Sequence, residues 1–200
     1  MEIKKLWKNE STESGGQFMA MKGGKGYTIA DIEALPEGER AELIDGEMFR
    51  MDSPTRTHQK LLIELAIEIS LYIKKNKGKC SVLPAPFAVY IKKDKRNYVE
   101  PDIIVICDED RLEEKGCQGA PDWAIEVASP SSKKMDYERK VKLYREAGVR
   151  EYWIVDAKEE TVTVYDFEHG KEAARYAFHE PVKAGIFADL CLKISELIAG

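Results

Sequence analysis

Long apolar runs are missing from this chain, and so is any excess of positive charge. No stretch approaches the ~20 apolar residues of a membrane-crossing helix, so no membrane partner is expected. The opening segment MEIKKLWKNESTESGG lacks the apolar centre of a secretion signal, and the expected location is cytoplasmic. Cysteines number four and histidines three. Cys80, Cys107, Cys117 and Cys191 form no C-x-x-C pair, which argues against a zinc site, and reduced, mostly buried thiols are expected. A net charge of −5 counts against a nucleic-acid binder working through overall charge. Local basic clusters exist, such as Lys74, Lys75, Lys77 and Lys79, or Lys92, Lys93, Lys95 and Arg96, and each reads most simply as a solvated face. Gly23, Gly24 and Gly26 lack the Gly-Lys-Ser/Thr ending of a phosphate loop. There is no internal repeat.

What is present suits one domain with a sizeable core: 200 residues, 44% hydrophobic and 34% charged. Residues 1–26 are rich in Gly, Ser, Lys and Glu without an apolar period, and they read as a mobile arm. Residues 27–200 read as a single domain. Thr28 and Asp31 form a capping-box pattern for a short helix to about Leu35. Asp45-Gly46 marks a tight hairpin turn within AELIDGEMFRM. Leu61, Leu62, Leu65, Ile69, Tyr72 and Ile73 recur at helical spacing and predict a helix over 57–75. SVLPAPFAVYI and YVEPDIIVIC read as a hairpin, and DWAIEVA as a third strand. A helix is expected over 132–147, stopped by Gly148. EYWIVDA and TVTVYDF form the next hairpin, ARYAFHE adds an edge strand, and Ser195 caps a last short helix. The expected fold is α+β: a central mixed sheet flanked by two long helices, in the core order helix, three strands, helix, strand, with a C-terminal β extension.

Three charges stand where this pattern asks for neutral side chains. Asp102 and Glu126 interrupt strand-like runs. On a helical wheel Lys140 shares the arc of Tyr137, Val141 and Tyr144, whereas Arg139, Lys142 and Glu146 point away. Alone, each has an ordinary reading: a strand-end Asp accepting hydrogen bonds, or an arc-edge lysine reaching for water. Together, on neighbouring strands and the adjacent helix, they can converge. Two carboxylates and an ammonium group suit a hard metal ion and an attacking water. In DWAIEVA, Ala124, Glu126 and Ala128 share a face, and the small neighbours leave space for a ligand.

The segments EPDIIVI, WAIEVASPSS and DYERKVKLYREAGVREYWIVD resemble the Uma-type endonuclease family of the PD-(D/E)XK nuclease superfamily. ELIDGE and the helix-opening His58 are similar to that family's N-terminal half, so the resemblance spans about residues 27–195. It implies a restriction-endonuclease-like fold. The superfamily's usual lysine stands two residues after the glutamate, where this chain has Ala128. In the Uma-type group the lysine lies on the following helix, at the position of Lys140.

The resemblance implies metal-dependent hydrolysis of a phosphodiester, with nucleic acid, DNA in the first instance, as partner. Asp102 and Glu126 would hold Mg²⁺ or Mn²⁺, with the Val127 carbonyl as a third oxygen ligand. Lys140 would orient the water or stabilise the transition state. Glu47 would reach the metal directly or through water, and His58 would contact phosphate or hold Glu47. Asp136 would pair with Lys140 at i, i+4 or favour the positive helix N-terminus. Tyr144 and Trp153 read as core. The rival readings are a non-catalytic nucleic-acid- or protein-binding module that keeps the fold, and a small-molecule metallohydrolase. A pure binder has no need of so costly a charge set. The trailing β segment offers an edge on which a homodimer could pair.

Overall fold

Changes of apolar period, from 3.6 residues to 2 and back, set the order of elements. The structure, a computed structural model, describes residues 26–199, and the expected arm before Gly26 lies outside them. Helix α1 (Ile29–Glu33) opens where Thr28 N donates to Asp31 Oδ2 at 2.8 Å. Strands β1 (Ala41–Ile44) and β2 (Glu47–Arg50) form the expected hairpin. Its turn places Asp45 and Gly46 at φ of 52° and 80°, the left-handed pair a type I′ turn requires.

Helix α2 (Arg56–Lys75) buries Leu61, Leu62, Leu65, Ile69 and Ile73 along one stripe. Strands β3 (Ser81–Pro84), β4 (Val89–Tyr90) and β5 (Ile103–Ile106) follow. The run SVLPAPFAVYI was expected as one strand. Pro84 and Pro86 lack the N–H that a ladder needs, and the run divides: β3 pairs with β5, while β4 joins a separate small sheet. That sheet also holds β6 (Leu112–Glu113) and β7 (Gly116–Gln118).

Strand β8 (Trp123–Ala128) is followed by a helical crossover and β9 (Glu151–Asp156), which runs parallel to β8. Strands β10 (Thr161–Asp166) and β11 (Ala174–Ala177) add an antiparallel extension. The main sheet has the order β11-β10-β9-β8-β5-β3, mixed as expected. Strands β12 (Val182–Lys183) and β13 (Cys191–Leu192) and helix α4 (Ile194–Leu197) close the chain. Lys193, not Ser195, precedes that helix as its cap residue.

The two sheet faces divide the core by residue parity. Trp123, Ile125, Val127, Trp153 and Val155 pack against α2. The rings of Trp123 and Trp153 meet edge-on with centroids 4.8 Å apart, worth about 0.5–1.5 kcal/mol beyond their buried area. Ala124, Tyr152 and Ile154 face the crossover helix, with Leu143 and Tyr144. That helix begins as a π segment, Met135–Lys140, and continues as α3 (Val141–Ala147). The expectation was a uniform α-helix. Its stop matches, with Gly148 at φ 89°.

The thiol expectation is corrected. Cys80 and Cys107 form a disulfide, Cys117 is buried and free, and Cys191 is exposed. The cause is register: Ser81 pairs with Ile106, so Cys80 and Cys107 are the next facing positions on β3 and β5. The bond spans a separation of 27 residues, a loop whose closure in the unfolded chain is worth about 3.5 kcal/mol. Urea unfolding with and without dithiothreitol should differ by about that amount, and Cys80→Ser should remove the difference.

Candidate active site

A cavity of about 580 Å³ opens at one end of the main sheet, between the start of α2, the β1–β2 hairpin and the loop after β8. Its size is in the range of small-molecule pockets. Asp102, Glu126 and Lys140 all line it. Asp102 stands immediately before β5, and its Oδ2 accepts from Val127 N at 2.7 Å. That bond ties the end of β5 to β8. The same oxygen lies 3.1 Å from His58 Nε2 at the start of α2. Among the described residues Asp102 Oδ1 has no hydrogen-bond partner.

Glu126 lies on the β8 face turned toward the crossover helix and is 5% exposed. Its Oε1 accepts from Lys140 Nζ at 2.9 Å and from Tyr144 OH at 2.8 Å. Among the described residues Oε2 has no hydrogen-bond partner. Burial pushes the Glu126 carboxyl well above its usual range, against the pull of Lys140, with Asp136, Asp102 and Glu42 adding to the rise. Lys140 is 3% exposed. Burial alone would lower its pKa, but the negative charges of Glu126, Glu42 and Asp136 outweigh it and hold the ammonium charged.

Two further carboxylates complete this centre. Glu42 on β1 is fully buried, and its two oxygens lie 3.0 and 2.9 Å from Lys140 Nζ. Asp136 is 1% exposed, with Oδ1 3.7 Å from Nζ and neither oxygen hydrogen-bonded. Burial pushes its carboxyl up to about 6, although Lys140 pulls it down. The π segment spaces Asp136 and Lys140 so that both line the cavity; such i→i+5 turns recur at functional sites. Four carboxyl groups, those of Glu42, Asp102, Glu126 and Asp136, thus share the cavity with one ammonium group and one imidazole.

The chain matches the family model described as "Uma2: Putative restriction endonuclease" over residues 29–192. It belongs to the Uma2 family. A crystal structure from Anabaena variabilis ATCC 29413, described as a putative nuclease belonging to DUF820, shares the fold at a TM-score of 0.70. It is 24% identical, and the match covers 86% of this chain and 97% of that one. No curated protein matches the chain.

In this Uma2 protein the structure brings four of the five side chains singled out in the sequence to the cavity: Asp102, Glu126, Lys140 and His58. Glu47 does not join them. It is 56% exposed and pairs with Arg139 at 2.6 Å. His58 bonds Asp102 rather than Glu47. Glu42 was missed, because its alternation with Ala41 and Leu43 reads as the solvent side of a hairpin strand. Tyr144 is core, as expected, and also a hydrogen-bond donor to Glu126.

The donor set fits a hard divalent cation. Among the described residues no three His, Cys, Asp or Glu side chains are arranged to hold an ion by themselves, so an ion here would need a main-chain oxygen as well. The hydrogen bonds of the two carboxylates fall on Asp102 Oδ2 and Glu126 Oε1, and Val127, next to Glu126 in the chain, donates its N–H to Asp102. Oxygen donors of this kind suit Mg²⁺ or Mn²⁺.

Burial alone would lower the His58 pKa, but the hydrogen bond and charge of Asp102 dominate and the net shift is upward from 6.5. A raised histidine stabilises the fold fully below pH 6.5, and the contribution is lost as pH rises through the folded value. His58→Gln should therefore be less stable than the parent at pH 6, with the gap closing toward pH 9. Urea unfolding across that range measures it, and an NMR titration of His58 should give a midpoint above 6.5.

Proposed function

We propose that this chain is a divalent-metal-dependent phosphodiester hydrolase of the PD-(D/E)XK type that cuts DNA. One observation carries the reading. Asp102, Glu126 and Lys140, from a strand end, a neighbouring strand and the next helix, meet in one cavity, with Lys140 bonded directly to Glu126. Buried charges of this density cost several kcal/mol each unless something offsets them, and binding a cation is chemistry that uses them. Membership of the Uma2 family agrees with it.

Asp102, Glu126 and the Val127 carbonyl would hold Mg²⁺ or Mn²⁺, which supplies an acidified water and neutralises the scissile phosphate. Lys140, charged throughout the neutral range, cannot take a proton. Its part is to orient the attacking water or offset the charge that develops on the phosphorane-like transition state. Asp102 accepts from Val127 N and so fixes the ends of two strands against each other. His58 orients Asp102 through Nε2. Glu47 enters this reading only at the rim, through Arg139.

Residues 27–200 would act as one catalytic domain. A homodimer, if formed, would use the β11 edge of the main sheet. A plasmid-nicking assay with Mg²⁺ or Mn²⁺ tests the reading. Nicking abolished by a chelator supports it. Mn²⁺ binding without nicking of DNA or RNA would point to a small-molecule hydrolase, and no Mn²⁺ binding to a non-catalytic module.

A further inference from the structure

The expected site contains no role for Glu42, yet Glu42 is fully buried in the hairpin strand β1. Its position is built, not incidental. Leu43 and Tyr98 exchange backbone hydrogen bonds of 2.7 and 2.8 Å, which dock β1 on the segment before β5. Glu42 Oε1 accepts from Glu100 N at 3.0 Å and from Lys140 Nζ at 3.0 Å. Each of these partners limits where the carboxylate can go.

An ammonium group carries three N–H donors that rotate together about one bond. Glu126 Oε1 takes one of them at 2.9 Å. With that partner alone, Lys140 would keep a freely swinging pair of hydrogens. Glu42 takes the second with one carboxylate group, its Oε1 at 3.0 Å and its Oε2 at 2.9 Å. Two fixed acceptors on different strands stop the rotation, and the third N–H then has a single direction. Asp136 Oδ1, at 3.7 Å, is too far to claim it. Lys140 itself lines the cavity.

We infer that Glu42 is a positioning residue: it locks the rotation of the Lys140 ammonium so that one N–H is aimed at the reacting phosphate or water. The inference rests on the hydrolase reading above for its chemistry, but not for its geometry. It makes strand β1 of the N-terminal hairpin a working part of the active site.

Glu42→Gln and Glu42→Asp test it with three readouts. In plasmid cleavage, kcat should fall about 100-fold, the size of effect a misaimed catalytic group produces, with KM nearly unchanged. Glu42→Asp should not rescue kcat, because it keeps the charge and loses the reach. Mn²⁺ binding, followed by calorimetry, should persist in both variants. The ¹⁵N resonance of the Lys140 ammonium, assigned by its loss in Lys140→Arg, should be sharp and protected from exchange in the parent and broadened in Glu42→Asp. Retained kcat, a loss carried by KM, or abolished Mn²⁺ binding would each overturn the assignment, the last by making Glu42 a metal ligand. Should the parent cut no nucleic acid, the hydrolase reading fails there. The ammonium spectrum then decides alone: broadening in Glu42→Asp supports the lock, and a resonance unchanged by the substitution overturns it. If neither variant folds, the parent spectrum serves. A protected ammonium supports the lock, and a freely rotating, fast-exchanging one removes it.

Discussion

Lys140→Met should cost about 3–5 kcal/mol of folding stability at pH 7.5, the usual penalty for removing one partner of a buried charge group. Methionine fits the space of the lysine stem, so the loss comes from charge rather than from a cavity. Without the ammonium, the buried carboxylates of Glu42, Glu126 and Asp136 are left facing one another. The variant should also show a distinctive pH dependence. In the parent, Asp136 already titrates near 6 and Glu126 is raised well above its usual value, with Lys140 pulling both down. Removing that pull raises both further, so the folded variant binds more protons than the folded parent between about pH 5 and 8. Stability falls with rising pH wherever the folded state holds the extra protons. The gap between parent and variant should therefore be small near pH 5 and widest above pH 7. Urea melts at three pH values measure it, and a gap independent of pH would contradict a shared buried charge network.

Asp102→Asn and Glu126→Gln should each lower cleavage by about 10²–10³-fold, the scale seen when one preorganised electrostatic group is removed. Mn²⁺ affinity should weaken by at least about tenfold in both, measured by calorimetry without any substrate. The folding cost should be small by comparison. In Asp102→Asn the amide oxygen can take the place of Oδ2, still accepting from Val127 N and meeting His58 Nε2. In Glu126→Gln the amide oxygen can still accept from Lys140 and Tyr144. A lost neutral-for-charged hydrogen bond of this kind is worth about 1 kcal/mol. Loss of activity with intact folding and intact Mn²⁺ binding would remove these two residues from the metal site.

Asp102, Glu126 and Lys140 were legible in the sequence because each violates the local apolar pattern, and a violation in a core element has to be offset by something. The two faces of β8 and the inward stripe of α2 were legible for the same reason, since parity and helical period survive in a single sequence. Glu42 was not legible. Alternation tells which residues share a face, but not that both faces of a four-residue strand are covered, as they are in β1. The Cys80–Cys107 bond was hidden because it depends on the register between β3 and β5, and the break at Pro84 and Pro86 moved that register away from a simple hairpin. The π segment was hidden too: residue propensities do not distinguish an i→i+5 turn from an i→i+4 turn, and the choice is made by packing around Asp136 and Lys140.

That wider turn makes the crossover helix unusually sensitive to length. A π segment is a helix with one residue to spare. Deleting Glu138, whose side chain is exposed, would let Met135–Lys140 relax into ordinary α geometry. Asp136 and Lys140 would then stand three apart instead of four, and no single rotation of the shortened helix could return both to their present places. Insertions and deletions in most surface segments of this fold should be absorbed by loops, but here the count of residues, as much as their identity, determines whether the centre assembles.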